Sequence, residues 1–105
     1  GTRPVLVISN DVANRNSPVI TVIPLSSKLK KLELPVHIVL TEDDCEMLRD
    51  EHLEDSVLLV EQITTIDKLV LFNRFSYVVS VQKKHEIEAA VTKQFAMRAS
   101  ARKEV

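Results

Sequence analysis

Two polar side chains near the start of the chain, Arg3 and Ser26, are of the types that bind phosphate groups. Arg3 precedes Pro4 and the apolar run 5–8, and Ser26 follows an apolar segment over residues 19–25. A guanidinium group can bind two phosphate oxygens at once, and a hydroxyl group can donate one further hydrogen bond. If both segments end at one rim of a sheet, the pair forms a site for a phosphate-sized anion.

Five further polar residues remain as candidates for a binding site. Each of them, taken alone, is explained better as part of a turn or of a solvated surface. Taken together with the first pair, they form a set of candidate binding residues. They are Asn10, Ser27, Lys28, Glu61 and Gln62.

The sequence lacks the usual signatures of several enzyme classes. The three histidines are scattered without the spacing of metal ligands, and the single glycine cannot build a glycine-rich phosphate loop. His37 lies between apolar neighbours, which is typical of a structural strand histidine, and the acidic residues around Cys45 disfavour a nucleophilic thiolate. The sequence alone does not exclude a catalytic Ser–His–Asp triad, but no motif indicates one. We therefore expect neither a metal nor a cofactor.

Length and composition predict one small globular domain. The chain has 105 residues, of which 45% are hydrophobic and 28% charged, and we assign the domain to residues 1–98 with a polar tail at 99–105. The longest apolar runs are four residues, far short of a membrane span. One cysteine fits a reducing cytoplasm. The formal charge of -1 means that any RNA binding depends on a local basic patch.

The pattern of apolar residues predicts a mainly β domain of the α+β type. After the first strand we predict a polar loop at 11–17, and after the third an acidic excursion at 41–55 that forms a short helix or a surface loop. An apolar stripe after a candidate N-cap at Ser80 predicts a C-terminal helix. Together these elements give a small curled antiparallel sheet with a helix packed against it. The predicted strands are 5–8, 19–25, 34–40, 56–63 and 75–79.

Several sequence blocks, in this order, resemble the MazF/PemK toxin family. They are R-P-V-L-V-I-S-N-D, N-R-x-S-P, V-I-P-L-S-S, L-P-V-H-I and D-S-V-L-L-V-E-Q-I-T-T-I-D-K. The resemblance is close over residues 2–68 and looser over the C-terminal helix. Several blocks in order are far more specific than a single motif.

The resemblance implies a homodimeric, SH3-like barrel of the CcdB/MazF type in the cytoplasm. It also implies a metal-independent, sequence-specific endoribonuclease that cleaves single-stranded mRNA to 2′,3′-cyclic phosphate and 5′-hydroxyl ends. A MazE-like antitoxin is the implied protein partner. Arg3 matches the family's catalytic arginine, Ser26 falls where many members have the catalytic threonine, and Glu61–Gln62 matches a segment near the RNA groove. On the same resemblance we predict that the five further candidate residues bind the RNA, with Glu61 also a candidate for proton transfer.

The chain departs from the family pattern at its start. Family members begin with a strand of the type R-G-D-I-Y and a loop that covers the substrate, and neither precedes Gly1. We expect the natural protein to have this segment. Two other functions stay open: a non-enzymatic gyrase poison of the CcdB type, and a catalytically inert barrel that binds an antitoxin.

Overall fold

The computed structural model describes residues 3–28, 36–71 and 74–96, together with Ala101 and Lys103. Short 3₁₀ turns lie at Glu42–Asp44, Val60–Gln62 and Lys68–Val70. No helix in the described part of the chain is long and apolar enough to cross a membrane. The strands and helices are β1 (Val5–Val7), α1 (Asp11–Asn16), β2 (Val19–Ser26), β3 (His37–Leu40), β4 (Cys45–Met47), β5 (Ser56–Leu59), β6 (Thr64–Asp67), β7 (Ser76–Val78) and α2 (Val81–Gln94).

The strand β2 is the centre of the main sheet. Its first half pairs antiparallel with β6, its last two residues pair with β5, and β1 lies along its other edge opposite residues 22–24. The strand β3 extends the sheet beyond β5, and β4 and β7 form a separate two-stranded ribbon. This arrangement confirms the expected curled antiparallel sheet with a C-terminal helix.

The core lies between the curled sheet and α2. Ile23, Leu58 and Val60 are completely buried, and the helix contributes Ile87 and Ala90. Full burial of one such aliphatic side chain stabilises the fold by roughly 1.5–3 kcal/mol. The core therefore fixes β2 and its neighbours, and with them the residues at the strand ends.

The segment predicted to be a polar loop at 11–17 is instead the helix α1. The side chain of Asn10 accepts a hydrogen bond from the backbone N–H of Ala13 (2.8 Å), and Asp11 lies in the first turn. An asparagine N-cap followed by an acidic residue stabilises the positive end of a helix. The local capping therefore outweighs the low helix propensity of the polar residues.

The predicted strand at 56–63 ends early, at Leu59. The 3₁₀ turn that follows buries Val60 and lets the chain bend into β6. The acidic excursion contains a capped 3₁₀ turn at Glu42–Asp44 and then β4, the unpredicted partner of β7.

The C-terminal helix begins after Ser80 as predicted, and the Ser80 hydroxyl accepts a hydrogen bond from the N–H of Lys83 (3.0 Å). Residues 34–35 of the predicted third strand and most of the predicted tail lie outside the described residues.

Candidate functional site

The pairing of β1 with β2 sets Arg3 opposite Ser26. The register runs from Val7 opposite Val22 to Val5 opposite Pro24, and the N–H of Leu25 donates to the Pro4 carbonyl (3.2 Å). Continued by one residue, the same register pairs position 3 with position 26. Directly opposed residues of an antiparallel pair point to the same face, with Cβ atoms about 4.5–5.5 Å apart.

Both residues line a wide cleft of about 2250 Å³ beside β1. Arg3 is exposed and Ser26 is half-buried. The floor of the cleft is apolar and includes Leu25 and Leu40. More basic than acidic side chains line it, although the chain as a whole has a formal charge of -1. The basic lining residues are Arg3, Lys28, Arg49, Lys68, Arg74 and Lys84, and the acidic ones are Asp11, Glu51, Glu54 and Glu88.

A tight turn at the end of β2 holds the Ser26 hydroxyl at the cleft. Its oxygen accepts a hydrogen bond from the N–H of Lys28 (3.2 Å), which leaves the hydroxyl hydrogen free to donate to a bound anion. Ser27 and Lys28 are exposed and line the same cleft. Four of the seven predicted site residues therefore lie together.

The other three predicted site residues lie elsewhere. Asn10 caps α1, and its side-chain oxygen is occupied by that hydrogen bond. Glu61 and Gln62 are exposed on the 3₁₀ turn after β5, and Glu61 Oε1 lies 2.8 Å from His37 Nε2. None of these three lines the cleft. The early end of β5 explains the displacement, because the turn carries residues 61 and 62 off the sheet.

Cys45 is half-buried in the cleft wall and is a poor nucleophile there. Burial raises the pKa of its thiol above the ordinary value, a hydrogen bond with Ser76 lowers it, and the carboxylates of Asp44 and Glu42 raise it. Sequence reasoning identified the acidic neighbours and missed the larger effect of burial. No group of three or more His, Cys, Asp or Glu residues in the described part of the chain is arranged to hold a metal ion.

The structure adds cleft residues that the sequence did not single out. His52 lies in the wall, with its Nδ1 3.1 Å from Glu42 Oε1. Arg74 lies just before β7 and Tyr77 lies within it; the two side chains contact each other and also line the cleft. Successive side chains of a strand point to opposite faces, so the predicted strand at 75–79 could have indicated that Tyr77 faces away from the neighbouring Ser76 and Val78.

The chain matches, over residues 1–95, the family described as the PemK-like, MazF-like toxin of type II toxin-antitoxin systems. This chain belongs to that family. A relative in Bacillus subtilis (strain 168), named Endoribonuclease EndoA, is 43% identical over 77 residues, which are 73% of this toxin chain. The match covers 62% of the relative, so the chain spans less than two thirds of that protein's length.

Solved toxin structures share the fold. The Mycobacterium tuberculosis toxin MazF-mt6 superposes with a TM-score of 0.73 at 18% identity, covering 92% of this chain and 89% of that one. An endoribonuclease in complex with its cognate antitoxin, from a mycobacterial species, gives a TM-score of 0.67 at 19% identity, covering 95% and 86%. These likenesses establish a MazF-type fold for this family member.

Proposed function

We propose that this toxin is a metal-independent, sequence-specific endoribonuclease that cleaves single-stranded mRNA. The observation that carries the proposal is that Arg3, two residues before β1, and Ser26, at the end of β2, line one cleft, in a register that continues from the pairing of the two strands. The relative of 43% identity, which is named an endoribonuclease, supports it.

The proposed reaction uses the 2′-hydroxyl of the RNA as nucleophile. The enzyme then has to orient the sugar for in-line attack and stabilise negative charge on the phosphoryl oxygens. Attack by O2′ forms the 2′,3′-cyclic phosphate and breaks the bond to O5′, which leaves as a 5′-hydroxyl after it gains a proton. DNA has no 2′-hydroxyl and is spared.

Arg3 and Ser26 are proposed to bind different oxygens of the phosphate that is cleaved. Arg3 binds the non-bridging oxygens through two parallel N–H bonds, and Ser26 donates a third hydrogen bond. An arginine with a pKa above ~12 is a poor base near neutral pH, so the role of Arg3 is charge stabilisation. The proton released by the 2′-hydroxyl is accepted, and the proton gained by O5′ is supplied, by the substrate or by another group of the enzyme.

The remaining predicted residues are proposed to bind the RNA on either side of the cleaved bond. Ser27 and Lys28 contact it within the cleft, and Asn10, Glu61 and Gln62 contact it outside the cleft. Glu61, which pairs with His37 outside the cleft, is proposed as an RNA contact and stays a candidate for proton transfer.

Cleavage of labelled single-stranded RNA in the presence of a chelator tests the proposal. We expect metal-free cleavage to cyclic phosphate ends, and its loss in Arg3→Ala. Arg15→Ala is the matched control, because Arg15 is an exposed arginine on α1 that does not line the cleft. Absence of cleavage with arrest of gyrase would favour the CcdB-type poison. RNA or antitoxin binding without turnover would favour the inert barrel.

We further propose that the toxin acts in the cytoplasm and is inhibited by a MazE-like antitoxin. An acidic, partly disordered antitoxin segment would compete with RNA for Arg3 and Lys28. A mycobacterial structure neighbour is described in complex with its cognate antitoxin. Binding is expected to weaken as salt rises, because salt screens exposed charges. A salt-insensitive complex would mean that apolar contacts dominate.

The toxin is proposed to be a homodimer, as the family resemblance implies. Light scattering of the full-length protein measures this directly, and we expect twice the mass of one chain. A stable monomer that cleaves RNA would contradict the dimer and leave the nuclease assignment intact.

A further inference from the structure

We propose that Tyr77 and Arg74 form a second RNA subsite of the cleft, in which an unpaired base stacks on the Tyr77 ring and Arg74 binds a neighbouring phosphate. This inference rests on the proposed function, because it names how the same cleft binds its single-stranded substrate. It concerns substrate binding, and it adds no chemical step.

The ribbon of β4 and β7 turns the Tyr77 ring toward the cleft opening. Its neighbours Ser76 and Val78 are half-buried, whereas the Tyr77 side chain is 46% exposed and lines the cleft. An aromatic ring that is open to solvent beside a basic groove can stack on any nucleobase, since every base has a π-face.

Arg74 holds this ring in place. Its Nη1 donates a hydrogen bond to the Tyr77 hydroxyl (2.6 Å), and its Cζ lies 4.9 Å from the ring centroid. The contact covers one side of the ring and limits its rotation, so less side-chain entropy is lost when a base stacks on the other side.

Arg74 also keeps donors for a phosphate. Among residues 3–28, 36–71 and 74–96, no carboxylate forms an ion pair with it, and a guanidinium has five N–H donors of which the tyrosine takes one. Glu46 lies directly opposite Tyr77 in the ribbon and is exposed. The negative charge of Glu46 repels a phosphate from that side, which directs the RNA backbone toward Arg74.

Phe95 provides a matched comparison on the same molecule. It is exposed to nearly the same extent, 48%, but it follows α2 and lines a separate small pocket with Thr64 and Thr65. No arginine or lysine lines that pocket within the described residues. A ring without a cationic neighbour lacks the phosphate contact that we assign to Arg74.

Tyrosine fluorescence tests the subsite directly, because the protein contains one tyrosine and no tryptophan. The full-length protein is titrated with a single-stranded RNA oligonucleotide whose 2′-positions are methylated, so that it binds without being cut. We expect quenching of Tyr77 on binding. We expect Tyr77→Ala to weaken binding about tenfold and Tyr77→Phe to bind within about threefold of wild type, since stacking needs only the ring. In Phe95→Ala, we expect RNA to quench the Tyr77 fluorescence and to bind with the same affinity as in the wild type.

Arg74→Ala separates the phosphate contact from the stack. We expect the Arg74→Ala protein to bind RNA more weakly, and the slope of log affinity against log salt to fall by about one phosphate contact. Thermal melting is expected to show that this variant is folded. Unquenched Tyr77 in an RNA-saturated protein, or wild-type affinity in Tyr77→Ala, would overturn the subsite. Quenching by an acidic peptide but not by RNA would also overturn it. RNA cleavage that depends on Arg3 but not on Tyr77 refutes this inference alone, whereas quenching without any cleavage refutes the nuclease and leaves the subsite standing.

Discussion

Arg3→Ala and Ser26→Ala are predicted to impair cleavage in a coupled way. Removal of one charge-stabilising donor typically costs ~10²–10³ in rate, or about 2.7–4 kcal/mol. Arg3 is exposed, so water replaces part of its effect and we expect the lower end, about 10². Ser26 supplies one hydrogen bond to a charged group, worth about 1.5–3 kcal/mol, or roughly 10- to 100-fold.

The opposed positions of the two residues determine how these losses combine. Directly paired residues of antiparallel strands have Cβ atoms about 4.5–5.5 Å apart, and that separation would let both side chains reach oxygens of one phosphate group. Loss of either donor lets that phosphate shift away from the other donor. The double variant should therefore lose less than the product of the two single losses, with a coupling energy of about 1 kcal/mol or more.

Single-turnover cleavage rates of the wild type, both single variants and the double variant, measured with saturating RNA and chelator, give the coupling. Ser26→Ala also removes the hydrogen bond from the Lys28 N–H, at a cost of about 1 kcal/mol in stability. Thermal melts must therefore show that all four proteins are folded at the assay temperature. Losses that multiply within about 0.5 kcal/mol, or a single variant that cuts at the wild-type rate, would refute a shared phosphate.

Three further predictions concern stability and reactivity. Leu58→Ala should lower the free energy of unfolding in urea by about 2–5 kcal/mol, because the side chain is fully buried, whereas Leu69→Ala at 86% exposure should change it by less than about 0.5 kcal/mol. Asn10→Ala should lower the free energy of unfolding by about 1 kcal/mol, because the hydrogen bond from the Ala13 N–H to the Asn10 side chain is lost. Asn10→Asp should keep most of that free energy, because a carboxylate can accept the same hydrogen bond. An unchanged stability of Asn10→Ala would mean that α1 does not depend on this cap. The raised pKa of Cys45 means that the unfolded thiol ionises first as pH rises, so the contribution of Cys45 to stability is complete below about pH 8.5 and is lost as pH passes the folded-state pKa. Iodoacetamide should accordingly modify the folded protein more slowly than the urea-unfolded protein at pH 8, and equal rates would contradict the raised pKa.

The elements that the sequence predicted well are those whose pattern reflects burial. Apolar runs located β1, β2 and β5, and the stripe after Ser80 located α2 with its N-cap. The helix α1 was missed because it has no apolar face, and its stability comes from hydrogen bonds such as the Asn10 cap and the bond from Lys68 Nζ to the Asn14 carbonyl. The strand β4 was missed because Cys45–Met47 has no strand pattern of its own and depends on pairing with β7.

The candidate site was predicted in part for the same reason. The positions of Arg3 and Ser26 follow from two strands that the sequence shows clearly, so it was predictable that both residues would line one cleft. The positions of Glu61 and Gln62 depend on a strand that stops at Leu59, and no sequence pattern marks that stop. The contact between Arg74 and Tyr77 joins a residue before β7 to a residue within it, and the alternation of a strand alone does not predict such a contact.

The register between β1 and β2 also bears on how the proposed nuclease activity could be lost. A slip of one residue would turn Arg3 away from Ser26 while leaving every proposed site residue intact. The packing of the partly buried Leu6 and the buried Ile23 holds that alignment. If the proposed activity arrests growth, a genetic selection for inactive alleles should therefore recover apolar positions of these two strands alongside Arg3 itself.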